Sequence, residues 1–271
     1  MTTPQSHRIP QRHRAAVFGM SLCLCVSSVL LWCQQALAFS FSVEPSRIEL
    51  SIPAGKQRGK TVRINNRSDK PIHIKAYVND VIFLPDGTND FPEPGSTAWS
   101  AAKWVKVIPS EFDIPAGGVQ EARVSVQLPE GASGGYYAMV FFETLPTYTE
   151  KGLGVNFRIG ALTQITVPKT EVYQAKIANL RVLSASSALV ELFNDSNVLI
   201  RPSGRIKILD AREKRIAQVE FNPQRLGVLP KSVRQFSVEL EPLPPGTYRL
   251  RAEIDYGTRY LLVGEQTFDV R

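Results

Sequence analysis

From residue 39 onward, short segments rich in Val, Ile, Phe and Tyr alternate apolar with polar residues, and Pro, Gly, Asn and Asp separate them at regular spacing. A period of two sends successive side chains to opposite faces of an extended chain, so each segment reads as a half-buried strand. No stretch repeats its apolar residues at the helical period for long enough to compete. The fold is therefore restricted to an all-β arrangement of short antiparallel strands, packed face to face as sandwiches.

Residues 46–52 alternate within Pro45-Ser46-Arg47-Ile48-Glu49-Leu50-Ser51-Ile52-Pro53, and Pro53-Ala54-Gly55-Lys56 turns the chain towards a second strand at Thr61-Val62-Arg63-Ile64. Asn65-Asn66-Arg67-Ser68-Asp69-Lys70 has turn chemistry, and strands follow at 72–78, 104–108, 120–128 and 136–145. The segment 155–167 has the longest alternation: Val155, Phe157, Ile159, Ala161, Thr163, Ile165 and Val167 on one face, Asn156, Arg158, Gly160, Leu162, Gln164 and Thr166 on the other. Pro168 lacks an amide donor and ends the pairing, so Lys169-Thr170-Glu171 reads as a link. Beyond it, seven short strands are expected around 175–183, 188–193, 204–209, 216–221, 233–239, 247–256 and 259–269, a number that suits an immunoglobulin-like sandwich. Tyr248, just after Pro245-Gly246, reads either as a tyrosine corner or as an inward-facing strand aromatic. Two sandwiches result, 39–168 and 169–271.

The first 38 residues have a different character. Arg8, Arg12 and Arg14 precede an apolar run over residues 15–32, and Ala36-Leu37-Ala38 follows: the charged region, apolar region and cleavage site of a secretory signal. Cleavage after Ala38 is expected, with no stable membrane insertion afterwards. Leu22, Leu24 and Trp32 stand before Cys23, Cys25 and Cys33, where a lipoprotein signal needs a small residue. All three cysteines thus leave with the signal, and the remaining 233 residues have no thiol or disulfide with which to stabilise the fold. The formal charge falls from +7 to +4, with 29 Lys and Arg against 25 Asp and Glu, and the cations are dispersed. That balance does not suit nucleic acid.

Hydrolytic and metal chemistry recruits histidine or cysteine, because imidazole titrates near neutrality and the thiolate is a strong nucleophile and ligand. Only His73 remains, inside Pro71-Ile72-His73-Ile74-Lys75, where it reads as a solvent-facing or loosely hydrogen-bonded strand residue. Glu111 and Asp113, two apart, share a strand face and read as a solvated edge. Asp86-Gly87-Thr88-Asn89-Asp90 offers oxygen ligands without the spacing of a calcium loop, and Asp-Gly is first a hairpin turn. Asn66-Arg67-Ser68 and Asn194-Asp195-Ser196 match the glycosylation sequon and read as turns. No cofactor, no metal and no catalytic residue is expected.

Several of these pieces, in this order, resemble the N-terminal domain of periplasmic pilus-assembly chaperones of the chaperone-usher class. The carriers are Pro45-Ser46-Arg47-Ile48-Glu49-Leu50, Thr61-Val62-Arg63-Ile64-Asn65-Asn66, Val107-Ile108-Pro109 with Pro115-Ala116-Gly117, Tyr136-Tyr137-Ala138-Met139-Val140-Phe141-Phe142-Glu143-Thr144-Leu145-Pro146, and the long alternating strand. The resemblance covers about residues 41–168. It implies two immunoglobulin-like domains and binding by β-strand addition, in which alternate side chains of an exposed strand fill the groove of an incomplete subunit. Val155, Phe157, Ile159 and Ala161 would be the donors, and Arg47 would anchor the subunit's C-terminal carboxylate, which a guanidinium can grip with two donors. The family's second anchoring cation is a lysine that aligns here with Thr163, beside Gln164, so half of the anchor is missing. Pilin-like or other exported subunits in the periplasm are the implied partners, with an outer-membrane usher as a further one.

Residues 100–105 and 128–136 are also similar to cell-wall-associated binding proteins of Gram-positive bacteria, which implies a non-catalytic surface or peptidoglycan-binding scaffold as the alternative. A donor strand requires an apolar row at a sheet edge and a basic cleft containing Arg47. A scaffold requires an aromatic or polar patch at the loop ends, and a hydrolase a carboxylate pair across a pocket. The long strand would otherwise be the central strand of a closed sandwich, its polar face in water.

Overall fold

The protein is described by a computed structural model covering residues 41–148, 152 and 154–270, so the expected signal segment and its cleavage after Ala38 lie outside the described residues. In chain order the first half contributes β1 (Phe41–Glu44), β2 (Arg47–Ser51), β3 (Gln57–Asn66), β4 (Ile72–Asn79), the short β5 (Ile82–Phe83) and β6 (Asn89–Asp90), β7 (Val105–Ile108), β8 (Glu111–Ile114), β9 (Val119–Gln127), β10 (Gly135–Thr144), the short β11 (Thr147–Tyr148) and β12 (Gly154–Val155), and β13 (Arg158–Thr166). They form a four-stranded sheet ordered β1-β3-β9-β7 and a five-stranded sheet ordered β2-β13-β10-β4-β8. Val62, Ile64 and Val124 of the first sheet and Ile48, Ile74, Phe142 and Ile165 of the second are fully buried, which is the inward half of each alternating pattern.

The interruption at Pro45-Ser46 has a topological effect. Before it, β1 pairs antiparallel with β3; after it, β2 pairs with β13, and that pairing is parallel. One extended run therefore serves both sheets and sets Arg47 opposite Leu162 on the long strand.

β10 departs from simple alternation, since residues 137–142 are all buried. A central strand covered on both faces carries a continuous apolar run. Tyr137, Met139 and Phe141 form the outward set and pack with Val81 and Leu229. The cover comes partly from residues 80–101, which Asp80 gathers by accepting bonds from the amides of Gly95 (3.2 Å) and Thr97 (2.8 Å) and the hydroxyl of Ser100 (2.5 Å). Within this segment β5 and β6 pair across the Asp86-Gly87 turn expected from the sequence: Gly87 has φ +92° and the Thr88 amide donates to Asp86 Oδ1 at 2.9 Å.

The second half forms β14 (Ala175–Ser184), β15 (Ser187–Asn194), β16 (Ser203–Leu209), β17 (Arg215–Phe221), β18 (Ser232–Glu239), β19 (Gly246–Asp255) and β20 (Leu261–Val270). Two sheets, β14-β15-β18 and β17-β16-β19-β20, enclose a core that includes Leu192, Ile206, Phe221, Val228, Leu250 and Ile254. These are the seven strands of the sequence reading, shifted by a residue or two at their ends. The Tyr248 hydroxyl donates to the Pro244 carbonyl at 2.9 Å while its ring lies in the core, which is tyrosine-corner geometry. The protein is all-β, two immunoglobulin-like antiparallel sandwiches, and among the described residues no helix is long and apolar enough to cross a membrane.

The two sequons do more than turn the chain. Asn66 is buried and its amide donates to the carbonyls of Lys70, Ile114 and Pro115, while Asn194, fully buried, donates to those of Val198 and Val228. In both, the serine two residues on donates its amide to the asparagine Oδ1. The side-chain nitrogens that a glycan would need are committed inside the sandwiches.

Candidate functional site

The 155–167 segment is not one continuous strand. β12 pairs with β11, residues 156–157 step out of regular pairing, and β13 runs from Arg158. At the step, the Thr144 amide donates to the Phe157 carbonyl at 2.9 Å, and the Phe157 amide to Thr144 Oγ1 at 3.0 Å. β10 pairs with β13 along its whole length, from Glu143 opposite Arg158 to Gly135 opposite Thr166. β2 covers the other side only from Leu162 to Thr166. Among the described residues, β13 is thus an edge over residues 158–161 and an interior strand beyond.

Exposure follows the same division. Val155 is 36 % and Phe157 40 % exposed, and Ile159 is half-buried. Ala161 differs from expectation: it is fully buried, because by that point the inward face of the strand already lies in the sandwich core with Thr163 and Ile165. The polar face is also corrected. It is not simply in water, since Gln164 is buried and Leu162 packs in the outer cluster with Tyr137, Leu199 and Leu229. The edge is braced by Arg158, whose guanidinium lies 4.3 Å from the centroid of Phe141 and donates to the Tyr77 hydroxyl at 3.2 Å. Tyr77 in turn donates to Glu143 at 2.5 Å, and Asn156 bonds the other oxygen of that carboxyl. Burial, then the Glu143 bond, raises the Tyr77 hydroxyl above its ordinary range.

Arg47 projects from β2 with its side chain 54 % exposed. The parallel register sets Glu49 opposite Gln164, so Arg47, Glu49 and Gln164 share the outer face. Thr163 faces the other way: it is fully buried and its hydroxyl finds no hydrogen-bond partner among the described residues. The residue that the long strand turns to the cleft is Gln164, one position from Thr163, where the resemblance puts the missing lysine. Its side-chain oxygen accepts from Arg201 Nη2 at 2.6 Å, and the same nitrogen reaches Glu49 Oε1 at 3.1 Å. Glu49 Oε1 is also 4.0 Å from Arg47 Nη1. A cavity of about 330 Å³ opens here, lined by Glu49, Leu50, Ser51, Gln164, Thr166 and Arg201. Burial first, and the neighbouring Arg47 second, hold the Arg201 guanidinium below its ordinary pKa. No local sequence signal marks Arg201, which stands in a loop of the second sandwich.

Further contacts join the sandwiches around the cleft. The Tyr137 hydroxyl accepts from the Leu199 amide at 2.5 Å, the Gly135 amide donates to the Asn197 carbonyl at 2.8 Å, and the Gln235 amide donates to the Pro85 carbonyl at 2.7 Å. Gly134 has φ +75°, and a Cβ there would stand 2.6 Å from the Asn197 carbonyl oxygen, so both its conformation and the close approach require glycine.

His73, Glu111 and Asp113 converge, which their separate sequence readings did not foresee. β8 pairs with β4, and the imidazole lies 2.8 Å from Asp113 through Nδ1 and 2.8 Å from Glu111 through Nε2. The Asp113 bond, then the Glu111 bond, raises the His73 pKa above 6.5. A raised folded-state pKa contributes stability that is fully present below the unfolded value and lost as pH rises through the folded one. His73→Gln should therefore lower the urea midpoint at pH 5.5 and leave it nearly unchanged at pH 8.5. Equal effects at both values would show that the histidine is not charged in this pairing.

No protein-family model and no curated protein matches the chain. Among solved structures, it is similar to that of the class 5 fimbriae chaperone CfaA, at 17 % identity and TM-score 0.49 over 84 % of this chain and 99 % of that one. A chaperone–tip adhesin complex described for CFA/I fimbriae biogenesis gives 16 % identity and TM-score 0.49 over 84 % and 98 %. The CsuC–CsuE chaperone–tip subunit pre-assembly complex of Acinetobacter baumannii gives 12 % and 0.45 over 85 % and 98 %.

Proposed function

We propose that this protein is an exported, periplasmic chaperone-like protein of two domains, divided near Pro168, that binds pilin-like or other secreted subunits by β-strand addition while a surface structure is assembled. The observation that carries the reading is the half-covered long strand. Residues 158–161 are paired to β10 on one side, strand pairing on the other side begins, among the described residues, only at Leu162, and Val155 and Phe157 lie exposed at the start of this edge. Soluble proteins generally blunt such edges with charge, proline or a covering loop, because an open ladder beside apolar side chains recruits another strand. An incoming strand would pair with the backbone of 158–161, and Val155, Phe157 and Ile159, spaced two apart, would fill its partner's groove. Ala161 is not among these donors, since its side chain is spent in the core. Arg47 would meet the subunit's terminal carboxylate, and an outer-membrane usher would receive the complex.

The test is capture from periplasm. Wild-type protein should co-purify a pilin-like subunit, identified by mass spectrometry, and Phe157→Asp should reduce its yield at least tenfold while the circular dichroism spectrum is unchanged. The half-exposed position lets the aspartate be tolerated in the free protein, whereas in an occupied groove its charge would be desolvated. Undiminished capture by the variant, or no such subunit with the wild type, refutes strand donation.

A further inference from the structure

Arg234, 9 % exposed, is the only cation buried among the described residues, and its place on β18 is one an apolar side chain would normally take. It shares the inward face with Phe236 and Val238 and stands opposite Leu192 in the pairing with β15. A guanidinium withdrawn from water is costly unless opposite charge or hydrogen bonds compensate it. Among the described residues no carboxylate pairs with Arg234, and burial holds its pKa below the ordinary value. Its compensation comes instead from backbone and aromatic rings on both sides of the boundary between the sandwiches. Within the second sandwich, Nη1 donates to the Gly227 carbonyl at 2.9 Å, and the guanidinium carbon lies 5.9 Å from the centroid of Phe236. From the first sandwich, Phe83 on β5 brings a second ring to 6.0 Å. A Cβ at Gly87 would stand 2.9 Å from Nη2, so the tip of the β5–β6 hairpin closes directly over the charge.

The hairpin is anchored at its base and shaped at its tip. Asp80 gathers the base, and Val81 beside it packs against Leu229 of the second sandwich. At the tip, the Leu84 amide donates to the Thr88 carbonyl and the Gly87 amide to the Leu84 carbonyl, both at 2.9 Å. Pro85 then accepts from the Gln235 amide at 2.7 Å. Because β18 is the edge of the β14-β15-β18 sheet, that bond occupies part of an edge that its own sandwich leaves open. The covalent connection imposes much less, since residues 167–174, between β13 and β14, contain no strand. Domains joined in this way move relative to one another unless contacts hold them.

We infer that the β5–β6 hairpin is a strap by which the first sandwich grips the second, that Arg234 is the positioning residue it closes on, and that this grip sets the angle between the sandwiches. The strap acts within the free protein and does not depend on what the long strand binds. Its effect extends to the cleft: Gln164 and Arg201 belong to different sandwiches, so the 2.6 Å bond between them depends on that angle.

Backbone amide residual dipolar couplings, measured on the full chain in a weakly aligning medium, test this. In the wild type a single alignment tensor should fit both sandwiches. Replacing residues 84–88 by Asn-Gly, a two-residue hairpin turn that keeps Phe83 opposite Asn89, takes the tip out of reach of Gln235 and alters neither core. Arg234→Met keeps a long unbranched side chain and removes the planar cation. Each change should shrink the tensor of the second sandwich to about half that of the first or less, the mark of independent motion, while the couplings within each sandwich still fit its own coordinates. A common tensor in the tip-replaced protein overturns the strap. Loss of the common tensor in that protein but not in Arg234→Met overturns the role given to the arginine. If Arg234→Met unfolds the second sandwich, seen as collapse of its amide shift dispersion, the tip replacement still decides whether the strap exists, because it changes no residue of that sandwich.

Discussion

Phe221→Ala is expected to cost about 3–5 kcal/mol, the range for truncating a fully buried aromatic, in which lost transfer free energy and the residual cavity add together. Phe221 ends β17 with no exposed surface, its ring centroid 4.9 Å from that of Phe236 on β18, the strand of the opposite sheet. It therefore ties together the two layers of the second sandwich, and no flexible neighbour such as methionine is present in its core cluster to refill the void. Amide exchange is the appropriate measurement. The slowest amides of β16 and β19, at Ile206, Ile208 and Leu250, should exchange roughly a hundred to a few thousand times faster, as 1.4 kcal/mol per factor of ten requires. Acceleration below tenfold would mean that the core collapses around the missing ring.

Asn194→Ala is expected to have the second-largest effect, about 2–4 kcal/mol, through polar groups left buried without partners. The alanine would leave the Val198 carbonyl without its 2.9 Å bond, take from the Val228 carbonyl one of two bonds, the other coming from the Ile200 amide at 3.1 Å, and remove the acceptor of the Ser196 amide, also at 2.9 Å. Ser196 and Val198 belong to the loop that ends β15 and leads to Leu199 and Arg201, and Val228 ties that loop to the segment before β18, so the change loosens the stretch that forms one wall of the cleft. For a chain of this size the loss should lower the melting temperature by roughly 5–15 °C. Asn194→Ser, able to keep one of the bonds, should fall between. A shift of less than 2 °C would show that the loop finds other partners.

Both residues show where local sequence reasoning is strong and where it stops. Phe221 was legible as the last apolar residue of an alternating run, and burial of that face followed from the period alone. Asn194 was legible only as a turn former. Its role as a buried staple depends on Val228, 34 residues away in sequence, being brought within hydrogen-bonding distance. The same holds for His73: each member of its trio was placed correctly on a strand, yet their convergence needed the β4–β8 register.

The site divides along the same line. Alternation in 155–167 identified which side chains share a face, and it placed Val155, Phe157 and Ile159 together. It did not reveal that the row sinks into the core at Ala161, because a period of two reports faces and is silent on how deep a strand runs. The family resemblance puts the second cation's position at Thr163, whereas the pleat turns Thr163 inward and Gln164 outward, so a one-residue offset exchanges core for cleft.

What the sequence by itself determined is the strand grammar: all-β, two sandwiches, seven strands in the second, and an alternating segment of unusual length. Side-chain period and turn chemistry are local, so they can be read from neighbours along the chain. Only the tertiary structure decided which strands are edges, that β2 runs parallel to β13 from Arg47, and that Arg201 and Glu49 meet beside Gln164. Those outcomes are set by pairing and packing between residues up to 152 positions apart, for which no local pattern exists.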